Sequence, residues 1–277
     1  MKKLSLTHVG SLPYVDIKTA LDFTFKFDLP VLFSLPNLDK RQFMGKDIVY
    51  QLEIGDYTAE HKIQLNDDFQ DSSKSLYPPY RDAFLERMKQ ENKTEFKFQL
   101  IGPITFFKLI GNSKASLEEV GNFLLKKYQD LILSLCADGL SLFILDEPAL
   151  AKSTTEDRKF LRYFLRELEE IRGVSIGIHV CSKLKLMEIS EFKGILLNLD
   201  YSLYTKAEIR SMSETNFIGL NLGKLSSEHT TSDFKTNQEL NFYLSPSCGL
   251  CFHLPEEVEH IIHNLRTVKA KFLASTS

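Results

Sequence analysis

Val174-Ser175-Ile176-Gly177-Ile178-His179-Val180-Cys181 is an apolar run that ends with two side chains able to bind a soft metal ion. Short, near-continuous apolar runs are typical of strands that are buried on both faces of a parallel sheet. His179 and Cys181 are two residues apart, so at the end of a strand both side chains point to the same face. The sequence therefore predicts a buried strand that presents a histidine and a cysteine at its carboxyl end.

Two later segments add candidate ligands to this pair. Asp200 ends the next apolar run with a carboxylate, and Cys248 follows the run from Asn241 to Leu244 with a second thiol. One imidazole, two thiolates and one carboxylate form a tetrahedral set for zinc. We therefore predict a Zn²⁺ site made of His179, Cys181, Asp200 and Cys248. A reduced cluster without metal and a redox pair of Cys248 with Cys251 are the alternatives.

The composition is that of an ordinary globular protein. The chain has 277 residues, of which 43% are hydrophobic and 26% charged, and its formal net charge is −3. This balance does not indicate a nucleic-acid partner. No apolar stretch reaches the roughly 18 residues that a membrane-spanning helix needs, and no signal-peptide core follows Met1. We expect a cytoplasmic protein, and four cysteines in a reducing compartment are more often ligands or catalytic groups than disulfides.

Apolar runs alternate with segments of helical periodicity along the whole chain, which favours a parallel sheet with helical crossovers. Eight strands are predicted: Leu4–Val9, Pro30–Ser34, Glu95–Ile101, Ser141–Asp146, Val174–Val180, Ile195–Asp200, Phe217–Leu222 and Asn241–Leu244. Eight such units in this length predict an α/β fold, a single (β/α)8 TIM barrel over residues 1–277. An open doubly wound sheet is the alternative, although no Gly-x-Gly-x-x-Gly turn follows the first strand. Residues 36–77 are too long for a simple loop and alternate polar and apolar side chains around Ile48 to Ile54, so we expect an inserted β-hairpin or lid after the second strand.

The predicted helices have recognisable starts. Ser116 with Glu119, and Ser153 with Glu156, have the spacing of capping boxes before the helices Leu117–Asp138 and Glu156–Ile171. Pro255 is expected to open the final helix.

Unusual polar residues fall just after the predicted strand ends, where the active sites of barrel enzymes lie. They occur in His8-Val9-Gly10-Ser11, Gly102-Pro103-Ile104-Thr105, Asp146-Glu147-Pro148, His179-Val180-Cys181, Asp200, Lys224 and Pro246-Ser247-Cys248-Gly249.

These motifs resemble those of a known family. Val9-Gly10-Ser11-Leu12-Pro13, Gly102-Pro103-Ile104-Thr105, Asp146-Glu147-Pro148-Ala149, His179-x-Cys181 and Ser245-Pro246-Ser247-Cys248-Gly249-Leu250 resemble, in the same order, the catalytic C-terminal barrel of cobalamin-independent methionine synthase and its short single-barrel relatives. The wider group also holds uroporphyrinogen decarboxylase. The family's own N-terminal barrel is expected to have no counterpart in this chain.

The resemblance implies a role for each matching residue. His179, Cys181 and Cys248 would be zinc ligands, and Asp200 stands where the family has a ligating glutamate. Gly10 and Ser11 match the turn that holds the amino acid's carboxylate, and Asp146 matches the group that meets its ammonium. Glu147 is expected to line the same pocket. Lys224 stands where full-length members carry a histidine that protonates the leaving group.

The implied reaction is transfer of a methyl group to a thiol, with homocysteine as the acceptor and methionine as the product. The methyl donor would be a folate or a methyl-corrinoid protein, since the chain lacks the tryptophan on which full-length members stack a pterin, and Leu109 or a neighbouring phenylalanine stands in that region. Two alternatives remain. One is a metal-free decarboxylase of the uroporphyrinogen type, and the other is a degenerate zinc-binding barrel that binds a small thiol or a corrinoid partner.

Overall fold

The computed structural model describes residues 4–43, 45–60, 62–111, 114–213, 217–221 and 242–274. Its strands are β1 Leu4–Leu6, β2 Val31–Leu32, β3 Gly55–Tyr57, β4 Ile63–Leu65, β5 Phe96–Ile101, β6 Leu140–Asp146, β7 Ser175–Val180, β8 Leu196–Asp200, β9 Phe217–Asn221 and β10 Phe242–Ser245. Its helices are α1 Ile17–Thr24, α2 Lys46–Leu52, α3 Arg81–Gln90, α4 Pro103–Leu109, α5 Leu117–Cys136, α6 Thr155–Glu169, α7 Leu186–Ser190, α8 Lys206–Ser213 and α9 Pro255–Ala274.

Eight of the strands form one parallel sheet in the order β1-β10-β9-β8-β7-β6-β5-β2. The two ends of this order meet just beyond β1 and β2. There, Ser11 and Ser34 form a parallel bridge, and the Ser34 backbone N–H donates to the Gly10 carbonyl at 3.2 Å. An eight-stranded parallel sheet whose ends meet is the arrangement of a (β/α)8 barrel. The predicted fold class is confirmed.

The strands are buried on both faces, as their continuous apolar sequences predict. In β7 every residue after Ser175 is buried, and β6 is buried from Leu142 to Leu145. Helices packed outside the sheet shield it from water, and the aromatic rings of Tyr128 and Phe164 contact each other between α5 and α6. The apolar positions thus fix the barrel, and the polar residues at the strand ends are left to form a site.

The helix starts agree with the predicted capping boxes in one case and differ in the other. Ser116 and Glu119 cap α5 reciprocally, as predicted. Helix α6 is capped by Thr154 and Asp157 instead of Ser153 and Glu156. The reason is that the Ser153 hydroxyl donates to the Leu150 carbonyl at 2.7 Å, closing the preceding 3-10 turn.

The described part of the segment from 36 to 77 contains the α-helix α2, the antiparallel hairpin of β3 with β4, and two short 3-10 helices. The apolar residues around Ile48 to Ile54, whose alternation suggested a strand, instead belong mainly to α2. Ile48, Val49 and Leu52 are its buried residues, which is helical spacing. The hairpin lies against the end of α4, where the Gly111 N–H donates to the Ile63 carbonyl at 2.9 Å.

Among the described residues, none of the helices combines the length and the apolar composition that crossing a bilayer would require.

Candidate metal centre and substrate pocket

His179 lies one residue before the end of β7 and is completely buried. Its Nδ1 is 2.5 Å from the Oδ1 of Asn198, the residue beside it on β8, and the Asn198 amide donates in turn to the Ser245 hydroxyl at 3.2 Å. Because an amide oxygen can only accept, Nδ1 donates to it, and Nε2 is left to face the two thiols. This is how the ring of a metal-binding histidine is usually oriented.

Two thiols meet the Nε2 side of this ring. One ligand atom each from His179, Cys181 and Cys248 lies within 4.8 Å of the other two. Cys181 follows β7 directly and is half-buried, whereas Cys248 lies three residues beyond β10 and is exposed. Strand ends that are remote in sequence therefore bring together three of the four predicted ligands.

The electrostatics of the two thiols are strongly linked. Hydrogen bonds from Cys181 and His179 lower the pKa of the Cys248 thiol, and the interaction with Cys248 raises the pKa of Cys181. One sulfur of the pair is thus held as a thiolate by its neighbours. An oriented imidazole beside a thiolate and a thiol, open to solvent on the Cys248 side, is a donor set that fits zinc.

Asp200 lies outside this cluster. Its side chain ends β8 as predicted, but Oδ1 accepts hydrogen bonds from the Ser202 backbone N–H at 3.0 Å and from the Ser202 hydroxyl at 2.6 Å. The group of donor atoms within 4.8 Å contains only the histidine and the two cysteines among the described residues. Metal ligation by Asp200 stays a prediction.

Asp146 ends β6 and lies beside His179 in the sheet register. Burial raises the pKa of its carboxyl group, while His179 and a hydrogen bond from Gln99 act in the opposite direction. Asp146 lines a cavity of about 150 Å³ together with Gly10, Ser11 and Cys248. The predicted substrate residues at the ends of β1 and β6 therefore face one pocket with a candidate ligand.

The Gly10-Ser11 turn is held against the Cys248 loop. The Leu250 N–H donates to the Ser11 carbonyl at 2.9 Å, and a Cβ at Gly249 would lie 2.2 Å from the Ser11 hydroxyl oxygen. A side chain at position 249 would have to displace this hydroxyl. The turn predicted to hold a carboxylate and the loop that carries a thiol are thus one packed unit.

Glu147 does not line the pocket, in contrast to the prediction. Its side chain is completely buried, and its carboxylate accepts hydrogen bonds from the Ile104 N–H at 2.9 Å, the Thr105 N–H at 2.8 Å and the Thr105 hydroxyl at 2.6 Å. A carboxylate at this position accepts from the N–H groups at the start of α4 that have no partner within the helix. Its role is to hold the Gly102-Pro103 turn beside β6.

His8 is also internal. It is completely buried, and its Nε2 pairs with the Thr24 hydroxyl at 2.8 Å. Burial, together with the charge of Lys97, lowers the pKa of His8 to about 3. Lys224, the predicted acid, falls outside the described residues. Leu109 packs against the core at the end of α4 and is not part of the pocket wall.

Several polar residues in or beside the pocket were not predicted from the sequence. Lys97 and Gln99 lie on one face of β5, and Lys97 is 1% exposed with its Nζ donating to the His8 carbonyl at 2.7 Å. The signal was a lysine and a glutamine at alternate positions of an otherwise apolar strand. Asp47 and Gln51 on α2 form another wall, which depends on how the inserted segment docks.

Three comparisons place the chain among known proteins. Residues 69–213 match the family described as "Cobalamin-independent synthase, N-terminal domain". A 5-methyltetrahydropteroyltriglutamate–homocysteine methyltransferase from Streptococcus thermophilus is 25% identical over 214 residues, covering 72% of this chain, and the chain spans 28% of the length of that relative.

Solved structures share the fold. A B12-independent methionine synthase from Shewanella sp. W3-18-1, in complex with selenomethionine, is 13% identical with a TM-score of 0.67, covering 97% of this chain and 98% of its own. A methyltransferase from Methanosarcina mazei is 12% identical with a TM-score of 0.56, and the match covers 95% of this chain and 94% of that protein.

Proposed function

The chain belongs to the cobalamin-independent synthase family, and from this premise we propose that it is a zinc-dependent methyltransferase that uses homocysteine as the acceptor. The matched description is that of the N-terminal domain, which was expected to have no counterpart here, whereas the sequence motifs resemble the catalytic barrel. The observation that supports a catalytic role is the convergence of His179, Cys181 and Cys248 within 4.8 Å beside the pocket that contains Asp146. A barrel with a purely structural role would not need an open thiolate at the mouth of a pocket.

In this proposal the ligands are His179, Cys181 and Cys248. A bound zinc ion would supply the charge that keeps an incoming thiol deprotonated at neutral pH, where a free thiol with a pKa of about 8.5 is mostly protonated. Asn198 fixes the tautomer of His179, and Asp146 receives the ammonium of the acceptor. The turn at Gly10 and Ser11 would hold its carboxylate.

Asp200 is proposed as a weak fourth ligand. To reach the cluster, its carboxylate would have to give up the two hydrogen bonds from Ser202. A ligand with such a competing partner is easily exchanged for substrate sulfur, and catalytic zinc sites need an exchangeable position. Lys224 is proposed as the acid for the leaving group.

The decarboxylase alternative receives no support from the pocket. Enzymes of that type hold several substrate carboxylates with arginines, and no arginine is found among the described residues that line this cavity. The acidic Asp146 and Asp47 would instead repel such a substrate.

Metal analysis followed by cobalt substitution tests the function. We expect about one zinc ion per chain, and a change in the visible spectrum of the cobalt protein when homocysteine is added, because sulfur would enter the coordination sphere. Metal without a response to homocysteine would indicate a structural site, and a protein without metal affinity would refute the proposal.

The donor is then identified by activity. Methionine formation is measured with a methyltetrahydrofolate and, separately, with methylcobalamin as a substitute for a methyl-corrinoid protein. Formation with either donor supports the proposed transfer and identifies the donor class. If neither donor gives methionine, the methyltransferase assignment is contradicted even if zinc is present.

A further inference from the structure

Gln99 occupies a place in the pocket that none of the family motifs covers. It lies on β5, lines the cavity and forms a side-chain hydrogen bond with Asp146. An ionised carboxylate can only accept, so the Gln99 amide Nε2–H donates to it. This contact holds the Asp146 carboxylate in place at the end of β6.

The other end of the same amide has no partner. Gln99 Oε1 is buried from solvent and accepts no hydrogen bond from the described residues. A buried acceptor without a donor is unfavourable, and such groups are rare in native proteins unless a ligand supplies the donor. Gln99 lines the cavity, so a turn of its amide would bring this oxygen to a bound molecule.

The missing donor has a definable chemistry. A carbonyl oxygen next to a carboxylate attracts a cation with several N–H groups, and a primary ammonium fits this description. The chain's own ammonium at Lys97, two residues earlier on the same strand face, does not fill the position because its Nζ donates to the His8 carbonyl. The acceptor position is thus left for a ligand.

We propose that Gln99 is a substrate-binding residue whose Oε1 accepts a hydrogen bond from the ammonium of the thiol substrate while its Nε2 positions Asp146. The inference rests on the proposed function and adds to it a residue that selects α-amino acids over simple thiols.

Calorimetric titration of the zinc-containing protein tests this role with two ligands. One is homocysteine, and the other is 4-sulfanylbutanoate, which is the same molecule without the amino group. In Gln99→Leu we expect the Kd for homocysteine to rise about tenfold or more, the effect of losing a hydrogen bond to a charged group. The Kd for 4-sulfanylbutanoate should change less than about twofold, within the ordinary range for a distant substitution. Gln90→Leu, at the exposed end of α3, is the matched control and should bind both ligands like the wild type.

The outcomes separate the two proposals. If Gln99→Leu binds homocysteine as tightly as the wild type, or if it loses affinity for both ligands equally, the role of Gln99 is refuted and the proposed function stands. If the wild type binds neither ligand, the proposed function fails and the role of Gln99 fails with it.

Discussion

At the scale of single residues, Gly249 allows the Cys248 loop to pack against the turn at Gly10 and Ser11. Its backbone lies so close to Ser11 that an added Cβ would meet the hydroxyl oxygen at 2.2 Å. The close approach links the Cys248 loop to the turn at Gly10 and Ser11. A side chain at position 249 must therefore turn the Ser11 hydroxyl away or shift the loop.

We expect Gly249→Ala to weaken zinc and homocysteine binding together and to lower the free energy of unfolding by about 1–3 kcal/mol, as overpacking typically does. Metal titration and urea denaturation measure the two effects. Gly10→Ala is the steric control for zinc affinity and stability only, since Gly10 belongs to the proposed homocysteine turn; its added Cβ would find its nearest atom, Gln99 Cβ, at an ordinary 3.7 Å. A Gly249→Ala protein with unchanged zinc affinity would show that the loop is not held by this contact.

Lys97 is an ionisable residue whose charged form is disfavoured by burial. It is completely enclosed in the barrel, and desolvation lowers its pKa to about 7 although the charge of Asp146 acts in the opposite direction. Above this value the folded protein holds Lys97 neutral, whereas the unfolded chain keeps it charged up to about pH 10.5. The unfolded state then binds more protons, so this residue makes the protein more stable as pH rises from about 7 to 10.5.

We test this pH dependence against the Lys97→Met variant, which lacks the titrating amine. Below pH 7 the difference in unfolding free energy between the two proteins should be constant. Above pH 7, the free energy of unfolding of the wild type should rise relative to that of the variant by up to about 1.4 kcal/mol per pH unit. Urea denaturation at pH 6.5, 8 and 9.5 measures the trend. Parallel curves for the two proteins would show that Lys97 does not titrate in this range.

At the scale of secondary-structure elements, Glu147 determines how α4 begins. Three donors from Ile104 and Thr105 converge on its carboxylate. A Cβ at Gly102 would lie 2.2 Å from Glu147 Oε1, so the turn before the helix packs directly on this group. The acidic residue after β6 thus anchors the neighbouring strand-to-helix connection.

Glu147→Gln should lower the free energy of unfolding by about 1–3 kcal/mol, because the new amide N–H₂ would face a backbone or hydroxyl donor and leave it unpaired. Chemical denaturation measures the loss. Glu118→Gln, an exposed acid in the first turn of α5, is the control and should cost no more than about 0.5 kcal/mol. Equal effects at the two positions would contradict the proposed anchoring.

The element scale also shows where sequence interpretation succeeds. The eight strands were predictable because each is a short, mainly apolar run, and α5 because Ser116 and Glu119 have capping-box spacing. The segment at 48–54 was misleading because Ile48, Val49 and Leu52 fit a helical face while the same stretch also alternates in polarity. Helix α4 was overlooked because it has only seven residues, although Pro103 marks its first turn.

At the scale of the whole molecule, the barrel explains why part of the site could be predicted. Parallel strands end on one rim, so His179, Cys181 and Cys248 could be grouped without knowing any distance. The barrel topology does not predict which side chains contact each other. The hydrogen bonds of Ser202 to Asp200 and the pocket wall at Asp47 depend on how loops and the inserted segment pack.

The metal should couple the two sides of the barrel. His179 and Cys181 belong to β7 and its end, while Cys248 follows β10, which is three strands farther along the sheet, beyond β8 and β9. An ion that binds all three stabilises only the folded state, and at a hundredfold excess over its Kd this adds about 2.7 kcal/mol. For a protein of this size the gain corresponds to a few degrees in Tm.

We therefore expect Cys248→Ser to lose most bound zinc and the zinc-dependent rise in Tm, while the metal-free Tm stays close to that of the wild type because Cys248 is exposed. Asp200→Asn should retain more zinc than Cys248→Ser, since its carboxylate is already bound by Ser202. Cys136→Ser is the control for loss of a thiol outside the cluster; Cys136 lies on α5, and this variant should keep full zinc occupancy. Zinc content by atomic absorption and Tm with and without chelator measure these effects. Stoichiometric zinc in Cys248→Ser would exclude Cys248 as a ligand. Equal losses of zinc in Asp200→Asn and Cys248→Ser would instead show that the Asp200 carboxylate is a full ligand, which moves away from Ser202 when the metal binds.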